Sequence, residues 1–169
     1  GKLLARLASW YKPDSIIELG TGTGISTAYL AAGNADCTVY SIEGSENIHE
    51  IAKKSLTETG LSNVKLIHGM FKEKLSLLLE DLKDQSSLMV LIDGDHQGEW
   101  VLGYTNMVLS VSIENVVIIV DDIYWSNSMT AAWKTLISQP GIAVSIDLFQ
   151  FGILFVKKGV PKQHYIIRF

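Results

Sequence analysis

Three glycines in alternate positions follow an acidic residue early in the chain: Glu18 precedes Gly20, Gly22 and Gly24. Glycine lets bare backbone approach a ligand closely, and amide groups at the start of a helix point outward without partners. An apolar strand, this loop and a helix in succession therefore predict a site for a nucleotide-type cofactor. A dinucleotide fingerprint requires a third glycine where the chain has Ile25. Glu18, predicted at the mouth of the loop, favours a cationic ammonium or sulfonium group over a pyrophosphate, because its carboxylate repels anions.

Other acidic residues follow the remaining apolar runs of the chain. They are Glu43, Asp93, Asp95, Asp121 and Asp122. Ligands of a doubly wound sheet bind beyond the carboxyl ends of its strands, so these acids and Glu18 are predicted to converge on one crevice. Crowded carboxylates raise one another's pKa, and the crevice therefore requires a positive ligand, a metal ion or both. Glu43 lies about twenty residues after the glycine loop, where an acid can bind both ribose hydroxyls of a nucleoside.

Alternating strands and helices predict an α/β fold with a Rossmann-like, doubly wound sheet that is mostly parallel. Apolar runs predict strands over residues 15–19, 38–42, 64–68, 88–92 and 116–120. Helices are predicted over 24–32, 71–82, 98–109 and 128–137, and between Ser45 and Gly60. The continuous runs at 88–92 and 116–120 predict burial on both faces of the sheet. Residues 143–148 and 152–156 are too close for a crossover helix, so they are predicted to pair as an antiparallel hairpin. Residues 165–169 are expected to add an edge strand or a tail.

Three segments of this chain resemble the motifs of known enzymes. The run from Glu18 to Gly24 resembles the first motif of the class I S-adenosylmethionine-dependent methyltransferases, in which an acid and an apolar residue precede Gly-x-Gly-x-Gly. Segments 91–96 (Leu-Ile-Asp-Gly-Asp-His) and 120–122 (Val-Asp-Asp) resemble the fourth- and fifth-strand motifs of the catechol and caffeoyl-coenzyme A O-methyltransferases. The resemblance implies the seven-stranded methyltransferase fold and S-adenosylmethionine as the cofactor. It also implies transfer of the methyl group to a small-molecule acceptor, at a hydroxyl oxygen.

The resemblance further implies which residues bind the cofactor. They are Glu18, Gly20, Thr21, Gly22, Gly24, Ser26, Glu43, Gly69, Met70, Phe71 and Asp93. Ser26, in the first helical turn after the loop, is expected to bind the methionine carboxylate. Met70 and Phe71 are expected to supply flat, polarizable contacts to the adenine ring.

Metal and base assignments follow from the same motifs. Asp93, Asp121 and Asp122 take the positions of a metal site, and their oxygen atoms suit Mg²⁺ or another hard divalent cation. The family has asparagine where this chain has Asp122. Many metal-independent relatives use an acid after strand four to hold only the cofactor's amino group, so both alternatives stay open. His96 replaces a lysine of the family and is, with Asp93, a predicted catalytic residue, since a neutral imidazole can take the proton of the acceptor.

Aromatic residues are predicted to border the crevice. Tyr124 and Trp125 follow the fifth strand, and an aromatic wall favours a planar or apolar acceptor. Trp100 and Trp133 lie on predicted helices and are expected to be buried in the core.

Composition restricts the class of function. The chain has 14 basic and 18 acidic residues, a formal net charge of −4 and no basic run, which disfavours a nucleic-acid partner. Lys157 and Lys158 are expected to be solvated. Cys37 is the single cysteine, which favours a reducing compartment, and the apolar runs are too short to cross a bilayer. A cytoplasmic protein without a membrane partner is therefore expected.

Residues 1–169 are predicted to form one methyltransferase domain. Apolar residues recur at helical spacing before Pro13, and residues 1–12 are expected to be the remnant of an N-terminal helical region. Two alternative functions stay open. One is a nucleoside-binding domain without catalysis, and the other is an NAD-dependent oxidoreductase, which the loop disfavours. The pattern does not predict the oligomeric state, for which a homodimer is one alternative.

Overall fold

The computed structural model describes residues 1–157 and 159–168 of the chain. Within them the helices are α1 (Lys2–Tyr11), α2 (Ile25–Gly33), α3 (Glu46–Thr59), α4 (Phe71–Asp81), α5 (Gly98–Ser110) and α6 (Asn127–Ser138). The strands are β1 (Ser15–Leu19), β2 (Thr38–Glu43), β3 (Val64–His68), β4 (Ser87–Ile92), β5 (Asn115–Val120), β6 (Ile142–Asp147), β7 (Gly152–Val156) and β8 (Gln163–Ile166). Lys157 is exposed as predicted, whereas the expectations for Lys158 and Phe169 lie outside the described residues.

The described strands form one sheet in the order β3-β2-β1-β4-β5-β7-β6-β8. Strands β1 to β5 pair in parallel, and β7 runs antiparallel to both of its neighbours. The predicted doubly wound α/β fold with an antiparallel C-terminal hairpin is therefore confirmed. An eighth strand, β8, pairs in parallel with β6 and extends the seven-stranded sheet that the resemblance implies. It is the edge strand expected near the C-terminus, although it spans Gln163–Ile166 and starts before the predicted residues 165–169. All β8 residues are exposed, so alternation of apolar and polar side chains does not reveal this strand.

Helices cover both faces of the sheet. Successive residues of β4 alternate between two hydrophobic cores: Val90 and Ile92 pack in the core of α4, α5 and α6, whereas Met89 and Leu91 pack in the core of α1 and α2. This arrangement confirms the predicted burial of β4 and β5 on both faces. Each face of the sheet is therefore fixed by its own set of helices.

The strand register places the ends of β1, β2, β4 and β5 at one edge of the sheet. Leu19 pairs with Ile42 on one side and with Ile92 on the other, and Ile92 pairs with Val120. The loops that follow these residues are neighbours, which brings acids from distant parts of the sequence together.

Helix α1 packs closely against α2 beside this edge. A side chain at Gly33 would place its Cβ 2.4 Å from the carbonyl oxygen of Ala5, so the approach of the two helices requires glycine. The helical prediction for the residues before Pro13 is confirmed. Their origin in a larger helical region and the single-domain boundary stay predictions. Across the described residues, we find no helix with both the length and the apolar character that a membrane crossing requires.

Candidate active site

Gly20 and Gly22, in the loop after β1, have different structural roles. Gly20 has φ 102°, and a Cβ there would lie 2.2 Å from the carbonyl oxygen of Asp93. The loop can therefore rest on the end of β4 only because this residue lacks a side chain. Gly22 has φ 54°, and no described atom lies within 4 Å of a Cβ placed on it. Bare backbone at Gly22 thus borders open space, which is the arrangement that a ligand-binding loop requires.

Glu43, at the end of β2, is held beside the loop by two backbone amides. Its Oε2 atom accepts a hydrogen bond from the Gly22 N–H at 3.1 Å, and its Oε1 atom accepts one from the Ser45 N–H at 2.9 Å. The residue is 8% exposed. The carboxylate is thus fixed in orientation at the border of the glycine loop, with lone pairs left to accept hydrogen bonds from a ligand.

Glu18 lies behind the loop and not at its mouth, so its predicted position is wrong. The residue is fully buried, and its Oε2 atom accepts hydrogen bonds from the hydroxyls of Thr27 and Ser41, each at 2.5 Å. Side chains alternate along a strand, which puts Glu18 on the same face of β1 as Ile16 and next to α2. Burial raises the pKa of Glu18, while hydrogen bonds from Ser26, Ser41 and Thr27 oppose the increase. Glu18 therefore supports the loop from below by joining β1 to α2 and β2.

Asp93 and Asp121 form a pair of carboxyl groups at the ends of β4 and β5. The pairing of Ile92 with Val120 puts them side by side, and their side chains are in hydrogen-bonding contact. Burial, followed by the negative charge and the hydrogen bond of Asp121, raises the pKa of Asp93 to about 8. Burial also raises the pKa of Asp121, although the Asp122 N–H donates to this carboxylate at 2.8 Å. Asp93 is therefore mostly protonated at neutral pH and can donate its hydrogen bond to Asp121.

Asp122 is the third residue of the predicted metal site, and the described residues do not show that three-carboxylate centre. The backbone of Asp122 has φ 53°, so the chain turns out of the direction of β5 directly after Asp121. Among residues 1–157 and 159–168, no three histidine, cysteine, aspartate or glutamate side chains are arranged to hold a metal ion. The described donor set thus does not fit the metal centre that the resemblance implied.

His96, the predicted base, lies in the loop after β4. Its proximity lowers the pKa of Asp121. The His96 ring centroid is 6.2 Å from that of Trp125, a side chain that is 71% exposed. Asp95 has φ 52° and accepts a hydrogen bond from the Tyr104 hydroxyl at 2.7 Å, which fixes the turn of this loop. His96 is therefore near one of the paired acids, on the side of the loop that exposes Trp125.

Two cavities meet at the glycine loop and share Gly20, Gly22 and Asp93. The first has a volume of about 420 Å³, and its lining also includes Glu43, Gly44, Met70, Phe71, Gly94 and Asp95. The second has a volume of about 390 Å³, and its lining also includes Leu4, Thr21, Ser26, Asp121 and Phe151. Together they form a depression that extends from Glu43 to Asp121, with Asp93 at its middle.

Three of the predicted cofactor residues do not line either cavity. Glu18 is buried behind the loop, and Gly24 is buried at the start of α2. Gly69 has φ 145° and donates its N–H to the carbonyl oxygen of Glu43 at 3.0 Å, so it connects the end of β3 to the end of β2. These residues shape the loops around the site, whereas the other predicted ones border open space.

The sequence motifs missed Leu4 and Phe151, which line the second cavity. Leu4 lies on α1, and Phe151 lies in the turn between β6 and β7, outside every motif. The antiparallel pairing of β7 with β5 brings Phe151 close to Asp121. A turn that follows a predicted hairpin strand was the only sequence signal for Phe151.

A larger groove of about 740 Å³ lies between α4 and α5, beside the first cavity. Trp100 lines this groove and is 42% exposed, so its predicted burial is wrong. Trp133 is buried in the core as predicted. The groove lacks the glycine backbone and the paired acids, and the candidate active site is therefore the depression formed by the two smaller cavities.

Comparison with known protein families agrees with this geometry. A family model described as a methyltransferase domain matches residues 17–123. The matched segment runs from β1 to the loop after β5 and includes the glycine loop and the acidic pair. The chain therefore belongs to the family of methyltransferase domains, and the resemblance inferred from its motifs is confirmed.

Two curated relatives are similar to parts of this chain. A candidate O-methyltransferase of Mycobacterium sp. (strain JLS) is 36% identical over 98 residues, which are 56% of this chain and 43% of that protein. The protein-L-isoaspartate O-methyltransferase of Methanospirillum hungatei JF-1 is 40% identical over 62 residues, which are 37% of this chain and 28% of that protein. The chain thus spans less than half the length of these relatives.

Two solved structures share the fold. The O-methyltransferase TomG of Streptomyces achromogenes, involved in tomaymycin synthesis and solved with S-adenosylmethionine, has a TM-score of 0.77 at 23% identity. The match covers 94% of this chain and 79% of TomG. An O-methyltransferase of Bacillus cereus, solved with S-adenosylhomocysteine, has a TM-score of 0.75 at 23% identity over 93% of this chain and 80% of that one. At this identity the likeness establishes a common fold.

Proposed function

We propose that this chain binds S-adenosylmethionine and transfers its methyl group to a hydroxyl oxygen of a small molecule. Membership of the methyltransferase-domain family and the names of the relatives support the reaction class. The observation that carries the proposal is the pair of cavities that meet at Gly20, Gly22 and Asp93. S-adenosylmethionine is an extended molecule whose nucleoside and amino-acid ends need separate subsites, with the sulfonium between them.

The first cavity suits the nucleoside, and the second suits the amino acid. In the first, the Glu43 carboxylate is already oriented by two amides and accepts hydrogen bonds from the ribose hydroxyls. Met70, which is 70% exposed, and Phe71 present apolar surface to the adenine ring. In the second, Thr21 and Ser26 lie beside the start of α2, whose free amides attract the methionine carboxylate.

The sulfonium then lies at the junction, beside the paired acids. A positive charge there favours the ionised form of both carboxyl groups and so lowers the raised pKa of Asp93. Methyl transfer is an in-line displacement. The acceptor oxygen forms a bond to the methyl carbon while the carbon–sulfur bond breaks and leaves its electron pair on sulfur. The product S-adenosylhomocysteine has a neutral sulfur, and losing the attraction of Asp93 and Asp121 favours its release.

His96 is the proposed base for the acceptor hydroxyl. A neutral imidazole accepts the proton that the oxygen loses, and the nearby charge of Asp121 stabilises the resulting imidazolium. Tyr124 and Trp125 are exposed on this side of the site and favour a planar or apolar acceptor. Asp93 acts on the charge of the methyl donor and has no proton-transfer role in this reaction.

A divalent metal has no step in this proposal, because the described acids do not provide the three-ligand group that the resemblance implied. The net charge of −4 supports a small-molecule acceptor over a nucleic acid. A cytoplasmic location, which the single cysteine Cys37 favours, and assembly as a homodimer stay predictions.

Calorimetric titration tests the binding part of the proposal. The ligands are S-adenosylmethionine, S-adenosylhomocysteine and NAD, each with and without Mg²⁺. We expect the first two to bind with similar affinity in both buffers and NAD to give no heat of binding. Binding of NAD without binding of S-adenosylhomocysteine contradicts the proposal and favours an oxidoreductase. Affinity that depends on Mg²⁺ supports the metal prediction instead.

Product formation tests the catalytic part. S-adenosylhomocysteine is measured after incubation with a panel of planar hydroxylated molecules, for the intact chain and for His96→Ala and Asp93→Ala. His164→Ala is the matched control, because His164 is hydrogen-bonded to Ser145 where β6 pairs with β8 and lines neither cavity of the site. We expect both active-site variants to lose turnover and the control to keep it. Cofactor binding without turnover on any acceptor supports a nucleoside-binding domain without catalysis.

A further inference from the structure

A buried carboxylate at the end of β6 joins three separate parts of the chain. Asp147 is 1% exposed, and its side chain accepts hydrogen bonds from the Tyr124 hydroxyl, from the Phe149 N–H at 2.8 Å and from Arg168 Nη1 at 3.0 Å. Arg168 Nη1 also donates to the Asp147 carbonyl oxygen at 3.0 Å. Although burial opposes ionisation, these hydrogen bonds hold the pKa of Asp147 below its ordinary value. The group therefore stays a charged acceptor that ties together the loop after β5, the β6–β7 turn and the residues after β8.

The β6–β7 turn adopts a backbone conformation that needs such support. Phe149 has φ 71°, a left-handed value that is unfavourable for a bulky side chain. Its side chain is 63% exposed, and its ring centroid lies 5.7 Å from that of Tyr124. The Arg168 guanidinium lies over the Phe149 ring, also at 5.7 Å from its centroid. An exposed aromatic ring is thus held in a strained position by contacts that converge on Asp147.

This turn is continuous with the second cavity. Phe151 lines the cavity together with Asp121. The Ile123 N–H donates to the Gln150 carbonyl oxygen at 3.3 Å, so the turn is bonded to the loop that starts at Asp121. Residues 148–151 and 121–125 therefore form one wall on the side of the depression where His96 and Trp125 lie; we refer to it as the β5–β7 wall.

We propose that Asp147 is a positioning residue for the methyl acceptor and that Arg168 holds the Asp147 side chain in place. We refer to this pair of residues as the lock; through it, the β5–β7 wall depends on a residue beyond the last strand. The inference rests on the proposed function, because it concerns the acceptor side of that site. Within the described residues, the hydrogen bonds of Asp147 and Arg168 do not reach the glycine loop or Glu43. Loosening the lock therefore acts first on Tyr124, on the acceptor side, and leaves the hydrogen bonds of the glycine loop and Glu43 intact. Asp121 and Phe151 are the residues of the wall that also border the amino-acid subsite of the cofactor.

Hydrogen exchange measured by mass spectrometry tests the lock without any acceptor. The variants are Arg168→Met, Asp147→Asn and Arg168→Lys, which keeps the charge. Lys162→Met is the matched control, because Lys162 is a cation of the same C-terminal segment that is bonded to carbonyl oxygens at the end of α6. We expect Arg168→Met and Asp147→Asn to speed exchange in peptides covering 121–127 and 147–152, and to leave 18–26 and 43–46 unchanged. Equal exchange in all peptides, or the same change in Lys162→Met, overturns the proposal.

Kinetics separate a positioning role from a general loss of stability. The probe acceptor is 3,4-dihydroxybenzoate, and S-adenosylhomocysteine binding is measured alongside. In Arg168→Met we expect the KM for the probe to rise about tenfold, the size expected from losing a charge-assisted hydrogen bond. The KM for S-adenosylmethionine should rise less, because Asp121 and Phe151 are the residues of the wall that border its amino-acid subsite. Arg168→Lys should recover most of the loss. Equal changes in both KM values overturn the positioning role.

The two proposals fail in different ways. If the intact chain binds S-adenosylhomocysteine but does not methylate the probe, the acceptor is wrong, and the exchange pattern still decides whether Arg168 orders the wall. If the exchange pattern is absent while turnover is normal, the lock is rejected and the methyl-transfer proposal stands.

Discussion

Replacing Asp93 by asparagine isolates the attraction between an acid and the sulfonium of the cofactor. Asparagine keeps the size of the side chain and its hydrogen-bonding capacity but cannot ionise. Burial and the neighbouring Asp121 raise the pKa of Asp93 to about 8, so the intact protein gains a negative charge at this position as the pH rises through that value. At pH 6 about 1% of Asp93 is ionised, and at pH 9 about 90%, from the ordinary titration relation.

The size of the effect follows from the charges. Two unit charges about 4 Å apart attract each other by about 4 kcal/mol at the effective dielectric constant of a protein surface. The cavity that contains Asp93 is open to solvent, which screens the attraction, so about 1.4 kcal/mol or a tenfold change in affinity is expected. A bound sulfonium favours the ionised acid. The affinity of the intact chain for S-adenosylmethionine therefore rises about tenfold between pH 6 and pH 9.

Calorimetric titration at pH 6 and pH 9 measures this dependence. S-adenosylhomocysteine is the matched ligand, because it carries the same amino acid and nucleoside but a neutral sulfur, so titration of the ligand's own amino group cancels. We expect its affinity to be the same in the intact chain and in Asp93→Asn. The variant should bind S-adenosylmethionine as the intact chain does at pH 6 and about tenfold more weakly at pH 9. Asp95→Asn, which replaces a different acid of the first cavity, should retain the rise in affinity for S-adenosylmethionine with pH.

Recognition of the sulfonium by Asp93 is contradicted if Asp93→Asn weakens the binding of both ligands equally at both pH values. In that case the residue contributes shape or hydrogen bonding, and the acidic pair does not recognise the sulfonium. If the affinity for S-adenosylmethionine still rises with pH in Asp93→Asn, a group other than Asp93 causes the pH dependence.

Three further changes test other parts of the site. Gly20→Ala should lower the melting temperature strongly, because its Cβ would lie 2.2 Å from the Asp93 carbonyl oxygen. The Cβ of Gly22→Ala meets open space, so this variant should lose only about 1–2 kcal/mol of stability for its left-handed backbone, while its binding of S-adenosylhomocysteine becomes weaker. Equal melting temperatures of the two variants contradict the assigned roles. Burial raises the pKa of Glu18, so the folded state retains a proton above the ordinary value of 4.5 and the free energy of unfolding falls as the pH rises above it. Scanning calorimetry at pH 5 and pH 8 should therefore show that Glu18→Gln gains stability relative to the intact chain at the higher pH, and a constant difference would reject the titration. Glu43→Gln should lower the affinity for S-adenosylhomocysteine about tenfold in calorimetric titration, because a charged acceptor for the ribose hydroxyls becomes neutral. An unchanged dissociation constant argues against this ribose contact.

Local patterns in the sequence were sufficient to predict the order and type of the elements. The bounds predicted for β1, β3 and β7 match the structure, because each strand is a short apolar run between turn residues. The loop of Gly20 and Gly22 was predicted for the same reason, since left-handed backbone and close approach both require glycine. For the edge strand β8 the sequence left a strand and a tail as alternatives and displaced its bounds, because its side chains are all exposed.

Pairing between distant strands decided the rest. The sequence contains six acids at strand ends, but only the register of β4 and β5 places Asp93 beside Asp121, and only the folded backbone shows the turn at Asp122. Burial of Glu18 depends on which helix covers its face of β1. Periodicity fixes alternation along one strand, whereas the distance between two side chains depends on which strands are neighbours and how they are aligned, and that is a property of the folded chain.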